Sequence, residues 1–165
     1  MSSKLSFLMD GSGEGKVLSK TFQWKEFPDG TMEFRNDLYY GRGYFVVVAY
    51  AGSSDLSLSA SHDLRVGATV GVKKGRCWKV RDEDASKGFD CYGVAMGWYE
   101  DTDGVFVQVS GTIKAIGSKW YAGGKVHLPQ AYGPPEQLPP RFSNGVAIGL
   151  ALNEKDLLLV AGMGS

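Results

Sequence analysis

The sequence is poor in the residues that most often carry chemistry. It holds two histidines, His62 and His127, and two cysteines, Cys77 and Cys91. The cysteine separation matches no zinc-site spacing, and the two distant histidines do not complete a ligand set, so no metal and no cofactor are expected. Both cysteines flank the polar segment RDEDASKGFD and could face each other across a hairpin. Free, partly buried thiols are favoured instead, because a chain made in a cytoplasm rarely keeps a disulfide.

Net charge is also missing. Lys and Arg together number 18, and Asp and Glu together also number 18, so the formal net charge is zero. A chain without a global basic field is not expected to gather nucleic acid or to bind an anionic membrane.

Long apolar runs are absent as well. The most apolar run, residues 44–51, is far too short to span a bilayer. The N-terminal segment MSSKLSFLMDGSGEGK lacks the long apolar stretch and the small-residue cleavage site of a signal peptide. These features predict synthesis in a cytoplasm and no membrane partner.

Helical periodicity is nearly absent, whereas strand patterns are frequent. The stretch GVFVQV places Val105, Val107 and Val109 on one face of a strand, and DLSLSAS alternates strictly. The continuous runs YFVVVAYA and DLLLVAG predict strands that are covered on both faces, either by the core or by a partner subunit. The segments FPDGT, EDTDG and NEKD supply turns, and the 23 glycines fit many turns. The sequence therefore predicts an all-β fold.

Two parts of the chain resemble each other. Residues 94–97 (VAMG) align with residues 146–149 (VAIG), and VGATVGV further upstream matches AGGKVHL. Each unit reads strand, variable loop, GVA(M/I)G strand, hairpin, strand. The two units are residues 65–112 and residues 121–162. Two similar β units predict a small β-sandwich or barrel. Chance similarity between two glycine-rich β segments is the alternative.

The chain is predicted to have three regions. Residues 1–20 are polar and glycine-rich, which predicts a flexible N-terminal arm. Residues 21–64 are rich in aromatic side chains and predict a hairpin or three strands. Residues 65–165 form the sandwich or barrel domain with the internal repeat. Within it, QAYGPPEQLPP holds four of the six prolines and predicts a stiff, extended loop.

Motifs for catalysis or ion binding fail on spacing. In DGSGEGKV only three residues separate Gly11 from Gly15, and Val17 stands where a phosphate loop needs a hydroxyl. The acidic stretches RDEDASKG and EDTDG do not follow the calcium-loop pattern and are predicted to be solvated turns. No nucleophile signature accompanies His62 or His127. No catalytic residue is assigned, and the protein is predicted not to be an enzyme.

Aromatic side chains near predicted strand ends leave an alternative open. Trp98, Tyr99 and Trp120, with adjacent carboxylates, could form an exposed patch on which sugar rings stack. Such a patch would indicate a carbohydrate- or receptor-binding module. Aromatic residues in small β domains more often fill the core.

The closing segment, AGGKVHLP…NGVAIGLALNEKDLLLV, resembles that of small all-β bacteriophage structural proteins, including capsid decoration (cement) proteins. In these proteins a G-x-x-V-x-Φ strand leads through a loop to a G-V-A-Φ-G strand, a short turn and a terminal apolar strand. The matching residues here are Gly123, Val126, Leu128, Gly145, Val146, Ala147, Gly149 and 157–160. The resemblance covers the C-terminal half to two-thirds of the chain, and residues 1–64 resemble no family that we identify.

The resemblance implies a non-enzymatic virion protein that is made in the host cytoplasm. Such a protein binds the capsid surface, often as a trimer, and ties neighbouring capsomers together. Its partners would be the major capsid protein and further copies of itself. The candidate subunit or capsid contacts are aromatic residues of the N-terminal region, namely Phe22, Trp24, Phe27, Phe34, Tyr39 and Tyr40. The alternative is a carbohydrate- or receptor-binding β module of a phage tail fibre, which would use Trp98, Tyr99 and Trp120.

Overall fold

The computed structural model describes residues 12–17, 20–53, 64–99, 104–137 and 146–160. The strands in these ranges are β1 Ser12–Val17, β2 Lys20–Glu26, β3 Met32–Arg35, β4 Tyr40–Ser53, β5 Thr69–Lys73, β6 Arg76–Lys79, β7 Cys91–Tyr99, β8 Gly104–Lys114, β9 Lys125–His127, β10 Ala147–Ala151 and β11 Leu157–Leu159. A short 3₁₀ helix spans Asp82–Asp84, and the described ranges contain no α-helix. The prediction of an all-β fold is confirmed.

Strand β4 organises the sheet because it pairs with different neighbours along its length. On one side it runs antiparallel to β8, from the pair Tyr40 and Lys114 to the pair Ala49 and Gly104. On its other side, the first half pairs with β3 and the second half pairs in parallel with β6. Its first half therefore belongs to an open sheet and its second half to a closed ring.

The ring contains five strands in the order β4, β6, β5, β7 and β8, and the β8–β4 pairing closes it. All neighbours in the ring are antiparallel except β4 and β6. Its interior is filled by small apolar residues, including Val48, Val70, Val72, Cys77, Ala95, Val105 and Val107. Val109 packs against the same cluster, which confirms the predicted shared face of the three valines in β8. Small side chains suit the narrow interior of a ring with few strands.

The open sheet has the order β1, β2, β3, β4, β8, β11, β10 and β9, and every adjacent pair is antiparallel. Its inner face packs on the outside of the ring and forms a second, larger core. Phe22 stacks on Phe34 with ring centroids 4.9 Å apart, and Phe106 of the ring wall lies 5.4 Å from Phe34. Burying each such ring stabilises the fold by roughly 1.5–3 kcal/mol relative to leaving it in water.

The buried amide of Gln108 stands where the ring meets the open sheet. The pairing of β4 with β8 shifts register between Tyr44 and Phe45, which marks a β-bulge. The Nε2 atom of Gln108 donates to the main-chain carbonyls of Arg42, Ser110 and Thr112 at 3.3, 3.1 and 3.0 Å. One side chain thus serves carbonyl groups on both strands of the bulge.

The similar segments have similar strand arrangements. Strand β5 pairs with β7 and β7 pairs with β8, while β9 pairs with β10 and β10 pairs with β11. A register shift falls between Ala95 and Gly97 in the first set and between Ala147 and Gly149 in the second. These positions align in the sequence, although the first shift is against β8 and the second against β9. Strand β4 completes the ring, so the ring is not confined to residues 65–165.

Two predicted turns are present as tight, hydrogen-bonded turns. In FPDGT the amide of Phe27 donates to the carbonyl of Thr31 at 2.9 Å, and Gly30 has a φ of 90°, which glycine adopts most readily. In NEKD the Asn153 side-chain oxygen accepts from the amides of Lys155 and Asp156 at 2.8 and 2.9 Å. These turns join β2 to β3 and β10 to β11.

Other predictions fall partly or wholly outside the described residues. Of the predicted arm 1–20, residues 12–17 form β1 and Lys20 begins β2, and the rest lies outside the described ranges. The strand predicted for DLSLSAS and residues 100–103 of the EDTDG turn also lie outside them.

The two cysteines do not face each other. Val72 in β5 pairs with Cys77 on one side and with Cys91 on the other, so a whole strand separates the two thiols. Both cysteines are free. Burial raises the pKa of the Cys77 thiol to about 12.

Candidate interaction surface

The aromatic residues predicted to contact other subunits occupy two different places. Three are buried in the second core, at 1, 6 and 0% exposure, namely Phe22, Trp24 and Phe34. Their rings pack inside their own chain and are unavailable to another subunit. Tyr39 packs against the same core and is partly buried. Phe27 and Tyr40 are partly exposed, and cationic side chains lie over both rings.

The predicted exposed patch does not form around Trp120. Its indole is 6% exposed and packs on Gly117, where an added Cβ would lie 2.5 Å from the ring. The side chains of Trp98 and Tyr99 lie outside the described part of the structure. The neighbouring Tyr121, which no motif singled out, is 84% exposed.

The open sheet turns one of its faces away from both cores. Directly paired residues of an antiparallel sheet lie on the same face, so the register defines the rows of side chains there. The first row is Lys25, Glu33, Arg42, Thr112, Leu158, Leu150 and Lys125. The second row is Gln23, Arg35, Tyr40 and Lys114. We call these eleven side chains the outer face.

Strand β11 shows how the outer face differs from the core. Leu157 and Leu159 are buried, whereas Leu158 between them is only partly buried and points to the outer face. Val160, directly after the strand, is 38% exposed. The prediction that DLLLVAG is covered on both faces is therefore not met within this chain.

Positive charge dominates the outer face. It carries five cations, Lys25, Arg35, Arg42, Lys114 and Lys125, and one carboxylate, that of Glu33. Two further carboxylates border it, Asp29 within electrostatic range of Arg42 and Asp156 within that of Lys114. The whole chain is neutral, so its charges are unevenly distributed in space. With the two bordering carboxylates counted, an excess of two positive charges remains on this side and gives a local field that a count over the sequence does not reveal.

Two aromatic rings hold four of these cations. The guanidinium of Arg42 lies 3.7 Å from the centroid of the Phe27 ring, and Lys25 Nζ lies 5.2 Å from it. We call Lys25 and Arg42 the Phe27 pair. Each contact of this kind contributes about 0.5–1 kcal/mol at an exposed site and restrains the cation.

The second ring, Tyr40, has the same arrangement. The guanidinium of Arg35 lies 5.2 Å and Lys114 Nζ 5.6 Å from its centroid. We call Arg35 and Lys114 the Tyr40 pair. Burial raises the pKa of the Tyr40 hydroxyl, and its hydrogen bond with Glu33 raises that pKa further. The Glu33 carboxylate therefore accepts a hydrogen bond from the Tyr40 hydroxyl, while Glu33 lies directly across from both Lys25 and Arg42.

A depression of about 320 Å³ lies between β2 and β3. It is lined by Gln23, Trp24, Lys25, Glu33 and Arg35. Four of these five residues belong to the outer face, and one cation of each pair contributes. A partner's side chain could enter the face here, between the two pairs.

The acidic segment near the 3₁₀ helix is a second cluster of charges. Asp84 is fully buried, and its carboxylate accepts from the amide of Arg81 and from Lys87 Nζ, both at 2.8 Å. The amide of Asp82 donates to the carbonyl of Pro129 at 2.6 Å. The prediction of a solvated turn is therefore wrong for Asp82 and Asp84. The i,i+3 spacing of Arg81, Asp84 and Lys87 was the available signal.

The acidic segment and the adjacent strands β5 and β6 together contact the proline-rich loop and hold it against the ring. Lys79 Nζ and the Arg81 guanidinium lie 4.9 and 4.6 Å from the Tyr132 ring centroid. The amide and the hydroxyl of Thr69 both donate to the carbonyl of Gly133, at 2.8 and 2.9 Å. The contacts of Arg81, Asp84 and Lys87 consequently indicate a structural role for this cluster.

Neither histidine nor acidic residues assemble an ion site in the described ranges. No three His, Cys, Asp or Glu side chains there lie close enough together to hold a metal ion. His127 is partly buried, and this burial lowers the pKa of its imidazole. His62 lies outside the described residues. Over the same ranges, no helix is both long enough and apolar enough to cross a membrane.

Three comparisons place no known protein beside this one. Protein-family models, curated proteins and solved structures were each compared with the chain, and none of the three gave a significant match.

Proposed function

We propose that the protein is a non-enzymatic structural protein that attaches to a larger assembly through its outer face. The observation that carries this proposal is the set of four cations held over Phe27 and Tyr40 on the outer face. Side chains restrained before binding lose less conformational entropy when a partner arrives. A broad sheet surface suits contact with another protein surface.

The assembly in this proposal is a bacteriophage head, and the protein is a decoration protein that bridges capsomers. The resemblance of the closing segment to phage decoration proteins supports this part. Several of the residues that carry it, including Val126, Leu128 and Ala147, are buried, so the resemblance concerns the core of the fold. The proposal includes a homo-oligomer, with a trimer favoured, and the major capsid protein as partner.

Particle association tests the proposal. The native source is fractionated on a density gradient, and this chain is quantified by mass spectrometry against the other proteins of each fraction. We expect it to migrate with virions in a copy number comparable to that of the major shell protein. Only a few copies per particle would indicate a tail or fibre component instead. Absence from particles would refute the virion assignment.

A further inference from the structure

We infer that the outer face recognises an extended acidic segment of a partner protein, with carboxylates at alternate residues. The inference deepens the proposed function and rests on it only for the identity of the partner. The recognising groups are the Phe27 pair, Lys25 and Arg42, and the Tyr40 pair, Arg35 and Lys114.

The spacing of the two pairs defines the spacing of the carboxylates. The Phe27 pair belongs to the first row of the outer face and the Tyr40 pair to the second. Glu33 and Arg35, or Arg42 and Tyr40, are two residues apart on one strand, which separates the rows by about 7 Å. An extended segment has the same repeat, so its alternate side chains meet successive rows.

The charge balance supports an anionic partner. The outer face has five cations and one carboxylate, and Asp29 and Asp156 border it, so an excess of two positive charges remains in a chain whose formal net charge is zero. Lys25, Arg35 and Lys114 are exposed, and Arg42 is partly exposed. Cations close together repel one another, and an approaching carboxylate relieves that repulsion in addition to forming its own contacts.

The occupied rings argue against single-stranded nucleic acid. Proteins that bind such strands offer open aromatic faces on which bases stack. Here cations already lie over Phe27 and Tyr40, and a ring that is more than half exposed, that of Tyr44, lies at the edge of the face two residues beyond Arg42. Glu33 also stands between the two members of the Phe27 pair, where it would repel a continuous line of phosphates.

The apolar part of the outer face argues against a lipid surface. Proteins that lie on membranes insert protruding apolar side chains beside their basic residues. Leu150 and Leu158 are the leucines of the outer face, and both are partly buried, whereas Leu152, in the β10–β11 turn at its edge, is 46% exposed. Leu150 and Leu158 add an apolar area beside the basic residues, which a partner protein could contact.

Removing the charge of Glu33 provides a test in which the affinity for an acidic segment should rise rather than fall. Its carboxylate faces both Lys25 and Arg42 and therefore competes with an incoming acid for them. Replacing it with glutamine keeps an oxygen that can accept from Tyr40 and removes the competing charge. Glu33→Gln should consequently strengthen the binding of an acidic segment.

Binding is measured with the full chain and a fluorescently labelled peptide of alternating Glu and Ser, by anisotropy. A peptide of equal charge with its glutamates in one block is the spacing control. We expect the alternating peptide to bind more tightly and its affinity to fall as salt is added. The double variant Arg35→Gln/Lys114→Gln should bind roughly tenfold more weakly.

The matched control removes two exposed cations from the β5–β6 hairpin, Lys74→Gln/Arg76→Gln, and should leave the affinity unchanged. Circular dichroism and thermal unfolding establish that each variant is folded. Absence of peptide binding, equal losses in the two double variants, or weaker binding by Glu33→Gln would overturn the inference. So would tighter binding of an oligo-dT strand or of phosphatidylglycerol vesicles.

The two proposals can fail separately. A chain that migrates with virions but ignores the acidic peptide would retain the proposed function and lose this inference. A chain that binds the alternating peptide but is absent from particles would retain the recognition surface and lose the virion assignment.

Discussion

Replacing Asp84 with alanine tests whether its buried carboxylate holds the acidic segment in place. The side chain is fully buried and accepts from the Arg81 amide and from Lys87 Nζ. A charge-assisted hydrogen bond contributes roughly 1.5–3 kcal/mol, and breaking a fully buried ion pair costs about 3–5 kcal/mol. The Lys87 side chain is 47% exposed, so water compensates part of its loss. We therefore expect Asp84→Ala to lower the free energy of unfolding by about 2 kcal/mol.

Urea denaturation followed by tryptophan fluorescence measures this change. Glu83→Ala is the matched control, because Glu83 also pairs with Arg81 at 2.8 Å but its side chain is 65% exposed. Solvent screening limits the cost of the control to less than about 1 kcal/mol. If both variants lost the same stability, the reasoning that burial sets the value of these pairs would be refuted.

Three further predictions concern the cores. Gln108→Leu should lower the thermal midpoint, since it leaves three carbonyls without their donor at a cost of about 1–3 kcal/mol, and an unchanged midpoint would contradict this role. Gly97→Ala should cost about 1–3 kcal/mol in urea denaturation, because the new Cβ would overlap Phe34 Cζ, and wild-type stability would contradict this tight packing. At neutral pH, iodoacetamide should modify half-buried Cys91 before Cys77, whose pKa of about 12 leaves almost no thiolate, and peptide mass spectrometry showing equal rates would be inconsistent with that burial.

The strands themselves could be predicted because their patterns are local. Alternation in GVFVQV gave the shared face of Val105, Val107 and Val109, and the repeat indicated two sets of three strands. The division of β4 between a ring and an open sheet could not be predicted. It depends on pairing with β8, distant in the sequence, and on the register shift at Tyr44.

The sequence contains a pattern that indicates the outer face. Treating all the aromatic residues as one group hid that pattern. In β2 and β3 the buried rings alternate with polar residues, as in Phe22-Gln23-Trp24-Lys25. This alternation separates core from surface on each strand. Which cations meet across strands, and that they share Phe27 and Tyr40, depends on the register and could not be predicted.

The acidic segment was misjudged because charge patterns describe only local chemistry. A run such as RDEDASKG usually indicates a solvated turn. Here the carbonyl of Pro129 and the ring of Tyr132, both far along the chain, cover it. Only the tertiary contact makes Asp82 and Asp84 buried residues.

The shared ladder between β4 and β8 has a consequence for how the protein folds. Both the ring and the open sheet require this ladder, and it joins residues 40–49 to residues 104–114. Contacts between such distant segments form late, since a long loop must close before they are gained, so refolding should be slow for a chain of this size. Neither core can be completed before that closure. Amide hydrogens in both should therefore exchange through one global opening rather than as two separate units.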